Sequence, residues 1–132
     1  MIQKQPIKKG FKQMLAEANA AIDTISVQDA LALVDNPDVL FVDVRETQET
    51  ASGMTPGAFH APRGFLEFFA DPDSPMHRPE LARAKRLIIY CATGGRSTLA
   101  TKTLIDMGYS NVTNLAGGIA AWKAASGPLT SA

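Results

Sequence analysis

Two short apolar runs constrain this chain more than any other feature. Val39-Leu40-Phe41-Val42 and Leu87-Ile88-Ile89-Tyr90, the latter led by Arg86, are bounded by polar residues and have no polar position inside them. Such a run has no solvent-facing side and suits a strand buried on both faces. Elsewhere the spacing is helical. Ser26 has the character of an N-cap, and Asp29 suits the first turn of a helix that buries Val27, Ala30, Leu31 and Val34 and stops at Asn36-Pro37. Residues 97–107 predict a helix with Ala100, Leu104 and Met107 inward and Gly108 as its C-terminal cap. A last helix over residues 118–125 carries Trp122 and ends at Gly127-Pro128, and weaker strands are expected at 111–115 and 58–61. Strands alternating with helices predict an α/β fold, a three-layer domain whose central, mainly parallel sheet is flanked by helices.

The ends and connections add less. Residues 1–10 read as a polar N-terminal tail and residues 11–132 as one domain, a size that buries a core without staples. Phe11, Met14, Leu15, Ala18 and Ile22 recur at helical spacing and predict an amphipathic helix over 11–23. Packing on the domain explains that stripe as well as a membrane surface would, despite Lys8, Lys9 and Lys12. Between Pro62 and Pro79 the pattern is irregular, and Phe65, Phe68 and Phe69 suggest one or two helical turns. They read as a satellite hydrophobic cluster under a long connection, with a substrate-facing rim as the alternative.

Charge and cysteine usage exclude some functions. Thirteen basic and 13 acidic side chains cancel, which gives no basic surface for nucleic acid. No apolar run approaches the ~20 residues that span a bilayer, and no signal-type stretch follows the basic N-terminus. A cytoplasmic protein without a membrane partner is therefore expected. A single cysteine permits neither an intramolecular disulfide nor a multi-cysteine metal site.

That cysteine heads the most informative segment, Cys91-Ala92-Thr93-Gly94-Gly95-Arg96-Ser97, set between the second apolar run and a helix. Parallel sheets bind ligands beyond the carboxyl ends of their strands, where Cys91 falls. Gly94 and Gly95 let the loop curl so that its backbone N–H groups converge, with the helix dipole behind them. Such a cradle stabilises an anion, here the Cys91 sulfur. An ordinary thiol has a pKa of ~8.5, and lowering it by about two units, worth ~2.7 kcal/mol, makes thiolate the majority species. The amides and Arg96 can supply that. A buried structural cysteine is the competing reading, but it rarely heads a Gly-Gly-Arg turn.

Cys91 through Arg96 resembles the C-x-x-G-x-R active-site loop of the rhodanese family. Asp43-Val44-Arg45, Glu49 and Gly53 resemble that family's D-V-R…E…G segment. Pro56-Gly57-Ala58 with Pro62-Arg63-Gly64 is similar to its P-G-A…P-R-G stretch, and Leu115-Ala116-Gly117-Gly118 with Trp122 to its L-x-G-G-x-x-x-W ending. The likeness runs in register from about Ile22 to Pro128. It implies a rhodanese-like fold and sulfur transfer by double displacement, with Cys91 the persulfide carrier and Ala92, Thr93, Gly94, Gly95, Arg96 and Ser97 forming the anion-binding loop. Asp43 and Arg45 would support that loop, Glu49 would fix the same region by hydrogen bonds, and Trp122 would be core. Met54 stands where many members have His. Ala92 and Thr93 add no cation to the loop.

The mechanism so implied needs no metal or organic cofactor. Cys91 thiolate takes the outer sulfur of thiosulfate or a similar small donor, and cyanide, a thiol or a protein acceptor removes it. His60 and His77 read as surface or structural residues, since the loop itself favours the thiolate. One alternative is a persulfide-relay module with little small-molecule turnover. Another is a Cys-dependent phosphatase or arsenate reductase, but related phosphatases have one residue more between Cys and Arg than the four here.

Overall fold

The computed structural model describes residues 5–131. Its elements, in chain order, are α1 (Phe11–Ala21), β1 (Asp23–Ile25), α2 (Val27–Leu31), β2 (Val39–Asp43), α3 (Thr47–Thr50), β3 (Phe59–His60), a 3-10 turn (Arg63–Phe65), α4 (Leu66–Ala70), α5 (Pro79–Arg83), β4 (Arg86–Tyr90), α6 (Gly95–Met107), β5 (Val112–Leu115) and α7 (Gly118–Ala124). The strands form one five-stranded sheet in the order β1-β5-β4-β2-β3, and every neighbouring pair is parallel.

The two apolar runs are the central strands, β2 and β4, paired from Val39 with Arg86 to Asp43 with Tyr90. Their side chains alternate between two cores, which is why neither run has a polar position. Val42, Leu87, Ile89 and Cys91 join Leu66, Leu81, Ala100 and Leu104 on one face. Phe41, Ile88 and Tyr90 join Val27, Ala30, Ile119 and Trp122 on the other. Trp122 is fully buried, edge-on to Phe41 at 5.5 Å, and its indole N–H donates to the Pro128 carbonyl at 2.8 Å.

The structure meets some sequence expectations and corrects others. Residues 5–10 of the expected tail are exposed and without helix or strand, and its first four residues lie outside the described ones. The 11–23 helix ends at Ala21, because Asp23 to Ile25 pair with Thr113 to Leu115 as an edge strand. Of its apolar stripe only Ala18 is buried, while Phe11 is 68% and Met14 44% exposed. The cause is position: α1 lies on the outside of α6, a layer away from the sheet. Met107 is also exposed, unlike Ala100 and Leu104. At ~1.5 Å per residue the 13-residue α6 outruns the five-residue strands it covers. The phenylalanine segment forms the 3-10 turn and α4, where Phe69 is buried and stacks on the half-exposed Phe65 at 5.7 Å.

Candidate active site

The chain leaves β4 towards β5 on one side and leaves β2 towards β3 on the other. The carboxyl ends of β2 and β4 therefore border the crevice that parallel sheets use for ligands. Cys91 follows β4 there, and Asp43 ends β2 beside it.

The segment from Cys91 to Ser97 curls as its glycines allow. Gly94 has φ +115°, a left-handed conformation that side chains resist, and α6 starts at the next residue, two positions earlier than spacing alone suggests. This turn brings the Gly94 N–H to 3.1 Å from the Cys91 Sγ and the Ser97 N–H to 3.4 Å. Ser97 is the third residue of α6, so the sulfur occupies the place of a helix-capping acceptor. Its hydroxyl lies 3.4 Å from the sulfur as well. Burial pushes the Cys91 thiol up. The Ser97 hydroxyl and the amides of Ser97, Gly94 and Thr93 outweigh burial and hold it below the usual thiol range.

A second set of contacts comes from β2 and α3. The Asp43 carboxylate accepts from the Arg45 guanidinium in a bidentate pair at 2.7–3.1 Å, both side chains buried. Arg45 also donates to the carbonyls of Glu49 at 3.1 Å and Gly53 at 2.8 Å, so the loop after β2 is tied to one guanidinium. Despite its burial, the Asp43 partner keeps Arg45 firmly protonated. The Glu49 carboxylate accepts both forks of Arg96, at 2.6 and 2.9 Å. Those bonds, with one from the Glu46 N–H, hold the Glu49 carboxyl down at about 2. Arg96, expected to favour the thiolate together with the amides, spends its fork on Glu49 and acts on the sulfur as a nearby charge.

Two features had no sequence expectation. The amides of Ile119 and Ala120, in the first turn of α7, donate to the carbonyls of Cys91 and Ala92 at 2.9 and 3.0 Å. The approach is so close that a Cβ on Gly118 would lie 2.5 Å from the Cys91 oxygen. Gly117-Gly118 was visible as a motif, and its contact with the loop was not. The second feature is a buried polar pair, Thr98 and Asn114, beneath Gly94. Among the described residues neither histidine hydrogen-bonds the thiol. The ring nitrogens of His60 and His77 bond the carbonyls of Arg45 and Phe69. Met54 is buried and pairs with Thr130 in an antiparallel bridge.

The family model described as a rhodanese-like domain matches residues 26–125. The chain belongs to the rhodanese-like family. An Allochromatium vinosum sulfurtransferase is 39% identical to this rhodanese-like chain over 101 residues, 76% of this chain and 85% of the relative. A Rhodopseudomonas palustris protein, described as of unknown function and a possible tyrosine phosphatase, superposes with a TM-score of 0.92 at 44% identity, covering 97% of this chain and 99% of that one. The polysulfide-sulfur transferase homodimer of Wolinella succinogenes superposes with a TM-score of 0.67 at 30% identity, covering 91% and 86%. Among the described residues no helix is long and apolar enough to cross a membrane.

Proposed function

We propose that this rhodanese-like chain is a sulfurtransferase that moves sulfane sulfur from thiosulfate or a similar small donor to a thiophilic acceptor through a persulfide on Cys91. The observation that carries the reading is the sulfur at the head of α6, with the Gly94 N–H at 3.1 Å and the Ser97 N–H at 3.4 Å. In the first half-reaction the Cys91 thiolate forms a bond to the outer sulfur of the donor. The donor's S–S bond breaks with its electron pair, and sulfite leaves when the donor is thiosulfate. The persulfide anion then sits over the amides of the loop. In the second, cyanide, a thiol or an acceptor protein takes the terminal sulfur, and Cys91 departs as a thiolate. A depressed thiol pKa favours both halves. Arg96 and Glu49 hold the loop against α3, while Asp43 and Arg45 fix the chain that presents Glu49.

The sulfurtransferase relatives support this reading. The phosphatase reading attached to the Rhodopseudomonas protein is disfavoured by the site. Only four residues separate Cys91 from Arg96, and an oxyanion would have to displace Glu49 to reach the Arg96 fork. The test is intact mass after incubation with thiosulfate, followed by cyanide. The expected result is one added sulfur atom, absent from Cys91→Ser and released as thiocyanate. A wild-type protein that gains no sulfur from thiosulfate or an alkyl persulfide overturns the proposal.

A further inference from the structure

Asn114 is out of place in β5. It pairs with Ile89 of β4 and Thr24 of β1 on the sheet face covered by α6 and is 4% exposed, and among the described residues its side-chain oxygen has no hydrogen-bond partner. Buried polar atoms without partners are rare, and one inside an interior parallel strand calls for a reason outside packing. The rest of its amide shows one. Asn114 Nδ2 donates to the Thr98 Oγ1 at 3.0 Å, and the Thr98 hydroxyl donates to the Gly94 carbonyl at 2.7 Å.

The direction of these bonds matters, because a hydroxyl has one proton to give. The Asn114 N–H fills an acceptor position on Thr98 Oγ1 and so commits the Thr98 proton to Gly94. The Ser97 hydroxyl has two acceptors in reach: the Gly94 carbonyl at 3.2 Å, and the Cys91 sulfur at 3.4 Å, to which it can donate once that sulfur is ionised. The Gly94 carbonyl also accepts the Thr98 N–H at 3.0 Å, so Thr98 fills both of its acceptor positions and the Ser97 proton is left to turn to the sulfur. We infer that Asn114 and Thr98 are positioning residues that free the Ser97 hydroxyl to stabilise ionised sulfur on Cys91. This rests on the reading of Cys91 as the reactive sulfur, but the relay can be measured without any sulfur transfer.

The experiment follows thiolate formation by the pH dependence of Cys91 alkylation in the full-length protein, with thermal midpoints recorded alongside. Asn114→Leu keeps the shape of the side chain and removes the unpartnered oxygen, and Thr98→Val removes the hydroxyl. Both should raise the alkylation midpoint and slow alkylation at neutral pH by about fivefold, the loss of part of a hydrogen bond to a charged group. Thr98→Ser should restore the wild-type midpoint. In Asn114→Leu the melting temperature should hold or rise while reactivity falls, an opposition that loss of structure cannot produce. The deciding comparison is Thr98→Val in a Ser97→Ala background, where it should shift the midpoint no further, because both changes silence one proton. Unchanged midpoints in folded Thr98→Val and Asn114→Leu overturn the relay. So do additive shifts in the double variant. Should Asn114→Leu not fold, the Thr98 variants still decide. If wild type takes up no sulfur, the proposed function fails, while the alkylation series still tests the relay.

Discussion

Arg96 brings a positive charge to within reach of a sulfur anion, yet both its forks bind Glu49. Each loses its purpose without the other, so they should act as a unit. Arg96→Ala and Glu49→Gln are each expected to lower thiocyanate formation by about ten- to a hundredfold, the range of a charge-assisted hydrogen bond, and the double variant should lose no more than either single one. A multiplicative loss in steady-state rates would separate the two roles. The pH profile follows from the same pair. Glu49 titrates at about 2, so the bridge persists wherever the protein is folded near neutrality. Cys91, depressed from its usual value, gains thiolate as pH rises through its own pKa and holds it above. Sulfur loading should therefore show one rise with pH, then a plateau, with no second limb from Glu49 under mildly acidic conditions. Stopped-flow loading across that range checks it. At this scale Cys91 and Arg96 were legible because one loop carries them. Glu49 was named near the loop through the family resemblance alone, and its pairing with Arg96 was not legible, because 47 residues separate the two and no spacing rule spans that distance.

Two elements meet at the loop that carries the sulfur, one at the sulfur itself and one at the backbone. The start of α6 offers N–H groups to the sulfur, while the start of α7 takes the carbonyls of Cys91 and Ala92 and so orients the loop's peptide planes. Gly118 permits this contact: its φ is +60°, and an added Cβ would meet the Cys91 and Ala92 oxygens at 2.5 and 2.7 Å. Gly118→Ala should cost ~1–3 kcal/mol in backbone strain and displacement. It should also reduce sulfur transfer by at least about tenfold in protein that is still folded, since a donor moved off the sulfur loses most of its value. Gly57→Ala is the control. Its φ of +72° is equally left-handed, but nothing lies within 4 Å of its added Cβ, so it should lose stability and keep its rate. Equal rates in the two variants, measured at matched folded fractions, would remove α7 from the account. The elements that the sequence hides share a physical cause with this clamp. β1 is Asp-Thr-Ile with one buried residue, and it is a strand only because Thr113 to Leu115 lie alongside it. α6 begins at Gly95 because the loop's closure around the sulfur draws that turn into the helix, something that residue preference at 95 and 96 does not signal.

The described residues form two cores divided by a sheet, and the alternation along β2 and β4 sets that division. This is why the α/β class and the place of the reactive loop were readable: a strand buried on both faces demands helices above and below, and parallel order puts the loops after the strands at one end. What was not readable is which helices touch the sheet. α1 has an amphipathic stripe like the others, but it covers the back of α6 and buries only Ala18, with Leu15 and Ile22 half-covered. The family match starts at residue 26, beyond this helix, which agrees with a core that closes without it. A chain lacking residues 1–21 should therefore fold and load sulfur on Cys91. The deletion removes the burial of one small side chain and about half of a larger one, so the loss should be about 2 kcal/mol, read as a lower urea midpoint with little change in slope. The outer face of α6 becomes wet in that variant, while Ala100 and Leu104 keep their places against the sheet, and α6 should still carry Ser97 to the sulfur. Intact-mass loading should match wild type at equal folded fraction. A truncated chain that folds but takes up no sulfur would mean that α1 steadies the head of α6, and the site would then need a third layer as well as the two that flank the sheet.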